Sequence, residues 1–142
     1  MKLVQHLLDT KGGDVITIER EASVFDAIKL MADRAVGSLL VMDGDKLIGI
    51  VTERDYARKV ILKGRSSEET PVGDIMTAKV ITSQPEQSVN ECMALMSERR
   101  LRHLPVVVDG KVVGLISIGD LVQAIISDQQ EEIEHLEQYI SG

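Results

Sequence analysis

The chain has no tryptophan and only three aromatic residues, Phe25, Tyr56 and Tyr139, among 142. A core must therefore be built from Val, Ile, Leu, Met and Ala. The same shortage argues against a platform for stacking the bases of single-stranded nucleic acid. One cysteine, Cys92, excludes an internal disulfide and gives no metal-ligand spacing. It lies among Val89, Met93 and Met96 at helical spacing, which reads as a buried structural thiol. No apolar run approaches the roughly 20 residues of a membrane span. The N-terminal stretch MKLVQHLLDTKGGD is too broken to be an export signal. A cytoplasmic protein with no membrane partner is expected. Basic charge is also short: 16 Lys and Arg stand against 23 Asp and Glu, a net charge of −7. Such a chain is a poor non-specific partner for nucleic acid polymers. Basic residues do cluster locally, in Arg54, Arg58, Lys59, Lys63 and Arg65, and again in Arg99, Arg100, Arg102 and His103. Two small basic patches on an acidic protein suit a small anion.

What the chain does have is repetition. GIVTERD (49–55) returns as GLISIGD (114–120), each Gly, two apolar residues, a hydroxyl, two variable residues and Asp. Without a gap, Val15–Leu62 aligns with Val80–Ser127, and fifteen positions are identical. A duplicated module is the only economical explanation. Upstream, VQHLL (4–8) resembles VGDIM (72–76) at a slightly longer offset.

Each repeat reads β-α-β-β-α. Val15–Thr17 and Val80–Thr82 are β-branched runs, hence strands. Ser23–Asp26 and Ser88–Glu91 are capping boxes that open helices. SLLVM (38–42) and HLPVVV (103–108) are strands, turned by Asp-Gly into KLIGIVT (46–52) and KVVGLIS (111–117). A helix follows, over about Thr52–Lys63 in the first copy and from about Ser117 in the second. KGRSSEETPVGD (63–74) reads as a polar linker ended by Pro71. The expected divisions are 1–65, 66–127 and an acidic helical tail, 128–142. In the tail Ile126, Ile133 and Ile140 recur every seventh residue with Leu136 between them. That seam can pair with a second subunit or fold back on its own domain. His6 and His135 have no partners at metal spacing, and no metal site is expected.

The β-α-β-β-α unit, the VGDIMT lead-in, the RHLPVV strand and the Gly-x-x-Ser/Thr-x-x-Asp ending together resemble a tandem pair of CBS domains, a Bateman module. The resemblance covers roughly residues 4 to 127. It implies an α+β fold, two repeats packed sheet to sheet about a pseudo-two-fold axis with the C-terminal helix extending beyond. It also implies adenosine-containing ligands in clefts between the repeats: AMP, ADP, ATP, NAD(H) or S-adenosylmethionine. Such modules regulate a separate protein, commonly form homodimers, and are not enzymes.

The repeated phrase has two physical readings. A hydroxyl at a helix start is a cap, and an Asp in the first turn complements the helix dipole. Alternatively, the hydroxyl and the free amides of the first turn hold a phosphate while the carboxylate clamps both hydroxyls of a ribose. The duplication favours the clamp, on Thr52 and Asp55 in the first repeat and Ser117 and Asp120 in the second. By the resemblance, Ile16, Thr17, Ile81 and Ser83 flank the adenine, and the starts of the middle strands, Gly37 with Ser38 and Arg102 with His103, face the ligand. Arg102 and His103 are the expected phosphate ligands, then Arg54, with Arg58 solvated. Pro105 replaces the aligned Leu40 and fixes a strand start. Two other readings stay open: a dimeric scaffold with degenerate sites, and an enzyme acting on a nucleotide. The second lacks a nucleophile–base pair, a metal cluster and a phosphate-binding Walker loop.

Overall fold

The computed structural model describes residues 2–141. It is α+β, and the chain divides into two compact units. One runs Val15–Ile81; the other joins the segment ending at Asp14 to the chain from Thr82 onward. The lead-in of each repeat thus belongs to the unit of the other, a division that differs from the order along the chain.

In the unit Val15–Ile81, strand β1 (Thr17–Glu19) pairs parallel with β2 (Ser38–Asp43), which pairs antiparallel with β3 (Lys46–Thr52). Gly44 makes the β2–β3 turn at φ 59°, where a side chain is disfavoured. Helix α2 (Val24–Arg34) begins at Ser23, whose hydroxyl accepts from the Asp26 amide at 3.1 Å. Its apolar face places Val24, Ala27 and Met31 against Leu39, Val41 and Val51. A short helix α3 (Glu53–Tyr56) follows β3 and widens into a π turn over Ala57–Ile61. The expected helix to Lys63 is therefore not regular α throughout. The polar stretch after it is not a loose linker. Thr70 is buried, and its carbonyl accepts from the Val24 amide. A 3₁₀ turn (Val72–Asp74) then delivers Thr77 to β3, where Thr77 and Ile50 exchange both amide bonds at 2.9 and 3.0 Å.

In the other unit, β4 (His103–Val108) and β5 (Lys111–Ser117) form the antiparallel pair, with α4 (Val89–Arg99) preceding them. The bulge falls at the same aligned place in both repeats, between Val41 and Met42 and between Val106 and Val107. The expected strand over Val80–Thr82 does not form. Only a parallel bridge, Ser83 to Val106, survives. The cause is Pro105. In the first repeat the aligned residue, Leu40, donates its amide to the Ile16 carbonyl at 3.1 Å. Proline has no N–H to give, so that rung of the ladder is absent.

Helix α1 (Val4–Lys11) starts where Val4 donates to the Gln87 carbonyl, and it buries Val4 and Leu8. His6 Nδ1 accepts from the Leu3 amide at 2.9 Å, a structural use for that histidine. Helix α5 (Ile118–Ser141) has 24 residues and is about 36 Å long. Leu121 and Ala124 are buried in its first turns. Beyond them Ile126, Ile133, Leu136 and Ile140 are all exposed, so the tail does not fold back on its own unit. Among the described residues no helix is long and apolar enough to cross a membrane.

The glycine of the repeated phrase now has a partner. A Cβ on Gly49 would lie 2.5 Å from Met76 Sδ and 3.1 Å from the Thr77 carbonyl oxygen. A Cβ on Gly114 would collide with Leu8. Met76 and Leu8 are equivalent residues of the two lead-in segments. Each glycine is bare so that a lead-in side chain can lie directly on the last strand.

Candidate functional site

Each candidate site is built where a sheet ends and a helix begins. The antiparallel register sets Ser38 beside Thr52 and His103 beside Ser117. The junction is closed the same way twice: Glu53 donates to the Gly37 carbonyl at 3.1 Å and Ile118 to the Arg102 carbonyl at 2.9 Å. The start of the middle strand is thereby fastened to the first turn of the last helix. Gly37, Ser38, Thr52 and Asp55 come together in the first repeat, and Arg102, His103, Ser117 and Asp120 in the second.

Both hydroxyl–carboxylate pairs form capping boxes. In the first repeat the Thr52 hydroxyl accepts from the Asp55 amide at 3.1 Å. Asp55 Oδ2 accepts from the Thr52 amide and hydroxyl at 3.0 and 3.1 Å. Its other oxygen pairs with Lys59 at 3.1 Å, and Lys59 also donates to the Ile75 carbonyl at 2.8 Å. Both Asp55 oxygens are thus engaged, and its side chain is 12% exposed.

The second repeat is more open. The Ser117 hydroxyl accepts from the Asp120 amide at 3.1 Å, and Asp120 Oδ2 accepts from the Ser117 amide at 2.8 Å. The same oxygen takes the Lys11 ammonium at 2.5 Å, while Lys11 also donates to the Leu115 carbonyl at 2.7 Å. Oδ1 of Asp120 has no hydrogen bond among the described residues, and the side chain is 28% exposed. Burial alone would raise its pKa. The Lys11 ammonium and the Ser117 amide and hydroxyl outweigh that and hold the carboxyl below its ordinary value. Burial lowers the pKa of His103, and nearby Lys11 and Arg102 lower it further against the opposing pull of Asp120. Both effects favour the uncharged imidazole of His103 at neutral pH.

The remaining expected residues are placed as follows. Thr17 lies exposed in β1, and Ile16, half-buried, gives its carbonyl to Leu40. Arg54 is exposed in α3 and makes no ion pair among the described residues. Ser83 is buried, with its amide and hydroxyl both directed at the Pro105 carbonyl, at 2.8 and 3.4 Å. Pro105 is buried within β4. Ile81 is the last residue of the unit Val15–Ile81, and Ser83 lies in the other unit.

Sequence reasoning missed Lys11. A signal existed, because Lys11 and Lys79 hold the same place in the two lead-in segments. Beside Lys11, a groove of about 280 Å³ runs between α1 and α5, lined by residues that include Lys2, His6, Lys11, Asp120 and Gln123.

Comparison with known proteins agrees with this architecture. The family profile of the CBS domain matches residues 7–62 and 72–127. A mitochondrial CBS domain-containing protein of Arabidopsis thaliana, CBSX3, is 42% identical over 148 aligned positions, spanning 98% of this chain and 72% of the relative. A solved protein with CBS domains from Burkholderia ambifaria is 56% identical at a TM-score of 0.86, covering 90% of this chain and 96% of its own. The CBS domain pair of protein MJ0100, solved with 5′-methylthioadenosine and S-adenosyl-L-methionine, is 27% identical at a TM-score of 0.79, covering 90% and 98%. Two matched repeats, each ending in the same capped hydroxyl–carboxylate junction, make this chain a member of the CBS domain family, a tandem CBS pair.

Proposed function

We propose that the protein is a regulatory binding module for adenosine-containing ligands, AMP first among them, that acts on a separate protein and performs no chemistry itself. One observation supports the reading: each repeat sets a hydroxyl and a carboxylate together at one strand-to-helix junction. Amides at a helix start favour a phosphate, and a carboxylate accepts two hydroxyls of a sugar at once. Arg102 supplies positive charge at the second junction. The solved CBS pair that holds two adenosine derivatives supports the choice of ligand class. The exposed isoleucine seam of α5 supports a homodimer, and the single buried thiol suits a reducing, cytoplasm-like compartment.

A scaffold reading has one observation in its favour, confined to the first repeat. Asp55 is nearly buried and both its oxygens are held by protein groups, which is what a purely structural cap requires. The second repeat is therefore the principal site in this reading. A thermal-shift panel of AMP, ADP, ATP, NAD(H) and S-adenosylmethionine tests it, since a ligand that binds only the native form raises the melting temperature. At least one ligand should stabilise the wild type, and Asp120→Ala should weaken that ligand about a hundredfold or more by calorimetry. A flat panel supports the scaffold.

A further inference from the structure

We infer that Lys11 is a displaceable latch: it competes with the ligand for the Asp120 carboxylate, so that occupation of the second-repeat site unpins the C-terminal end of α1. The inference rests on the reading of Asp120 as a ribose acceptor. Its physical basis is the geometry of one oxygen. Asp120 Oδ2 already accepts from the Ser117 amide and the Lys11 ammonium. A sugar diol needs both carboxylate oxygens. The Ser117 amide is fixed in the backbone of the cap, whereas Lys11 ends a flexible side chain that is 39% exposed. Of the two donors, only Lys11 can leave.

The consequence follows from where Lys11 stands. It is the last residue of α1, and Gly12 comes next in open space at φ 93°, a backbone joint between the helix end and Gly13, which is packed on β5. The start of α1 has its own anchors. Lys2 donates to the Ser127 hydroxyl at 3.1 Å and pairs with Asp128 and Glu131 at 3.7 and 3.9 Å, and Val4 is fully buried. A Lys11 side chain that swings out leaves both the Asp120 carboxylate and the Leu115 carbonyl, so one end of the helix loses its side-chain tie while the other stays docked. The first repeat has no such device. Its lysine, Lys59, comes from the same helical segment as Asp55, four residues on, and reaches the Ile75 carbonyl from the acid's own side, so it is not a side chain brought to the acid by a separate helix. The groove between α1 and α5 gives the released side chain somewhere to go.

The test is calorimetric titration of adenosine, which carries the diol without phosphate charge, into wild type, Lys11→Met and Asp120→Ala, with AMP titrated alongside. Removing the competitor should tighten adenosine about three- to five-fold, the range of a part-exposed ion pair. Unchanged or weaker adenosine binding by Lys11→Met, with Asp120→Ala still losing it, overturns the latch and leaves the site reading standing. Weaker AMP with unchanged adenosine assigns Lys11 to the phosphate and likewise overturns the latch. Wild-type adenosine affinity in Asp120→Ala, or no binding of either ligand by wild type, ends the site reading and the latch together. Should Lys11→Met fail to fold, hydrogen exchange of the wild type decides. Saturating adenosine should speed exchange of the Gly12 amide, which donates to the Leu8 carbonyl at 2.7 Å. Slower or unchanged exchange overturns the inference.

Discussion

At the residue scale, the two acids of the repeated phrase differ more than their identical spacing suggests. Asp55 is closed by its own helix, and Asp120 is held by a lysine from a distant part of the chain. Asp120 and His103 both titrate below their ordinary values in the fold, so both bind fewer protons folded than unfolded as pH falls. Stability must then decline with acidification. The His103 contribution is intact above its ordinary value of 6.5 and is lost as pH drops from there through its lowered pKa. The Asp120 contribution is intact above the ordinary carboxylate range and is lost only below it. In thermal melts, His103→Gln should flatten the profile just under pH 6.5. Asp120→Asn should be less stable than wild type at pH 7, with the gap narrowing in strong acid. A gap of constant size would contradict the assigned cause. The repeated hydroxyl–acid spacing was legible in the sequence as either a cap or a clamp, and the cap is plainly built. What could not be read was which oxygens remain available, because that depends on lysines brought in by folding: Lys11 from α1, far away in the chain, and Lys59 from the π turn.

At the element scale, the capping boxes marked α2 and α4, and the short apolar runs with their Asp-Gly turns marked the hairpins, since those signals are local; the β-branched run Val15–Thr17 is displaced to Thr17–Glu19. Two expectations failed where a single backbone group decided the outcome. The strand over Val80–Thr82 was inferred from composition, but Pro105 on the neighbouring strand removes a ladder donor. The stretch after Lys63 looked like a linker because it is polar. Its carbonyls nevertheless serve the start of α2, where Val24 and Phe25 donate to Thr70 and Ser67. The docking of α1 is a close backbone approach of the same kind. A Cβ on Gly13 would sit 2.5 Å from the Val113 carbonyl oxygen, a rigid neighbour. Gly13→Ala should therefore cost about 1–3 kcal/mol in denaturant unfolding. Gly12→Ala has open space but a positive φ, and should cost about 1 kcal/mol. A neutral Gly13→Ala would mean that α1 is not seated as described.

At the scale of the whole molecule, duplication was the most readable feature. The repeat alone points to an α+β fold and to a family. The exchange of lead-in segments between units was not readable, because equivalent sequences can pack with either repeat. The far end of α5 lies outside both readings of a core. After Ser127 it buries nothing, yet it carries Ile133, Leu136, Tyr139 and Ile140 on a helix whose charged side chains there are acidic apart from His135. Deleting residues 132–142 should leave the melting temperature within a few degrees of wild type, since only part-exposed contacts are lost. If the seam joins two copies, sedimentation should show a smaller species for the deletion than for the full chain; an unchanged oligomeric state would contradict a role for the seam in assembly.

The claim on which the rest stands is that the Asp120 carboxylate recognises a ribose diol. The direct measurement is a two-by-two calorimetric cycle: AMP and its 2′,3′-dideoxy analogue, each titrated into wild type and Asp120→Ala. The account predicts that wild type prefers AMP by about tenfold or more and that the preference disappears in the variant. Equal affinity of wild type for the two nucleotides, or a preference that survives the loss of the carboxylate, would contradict it.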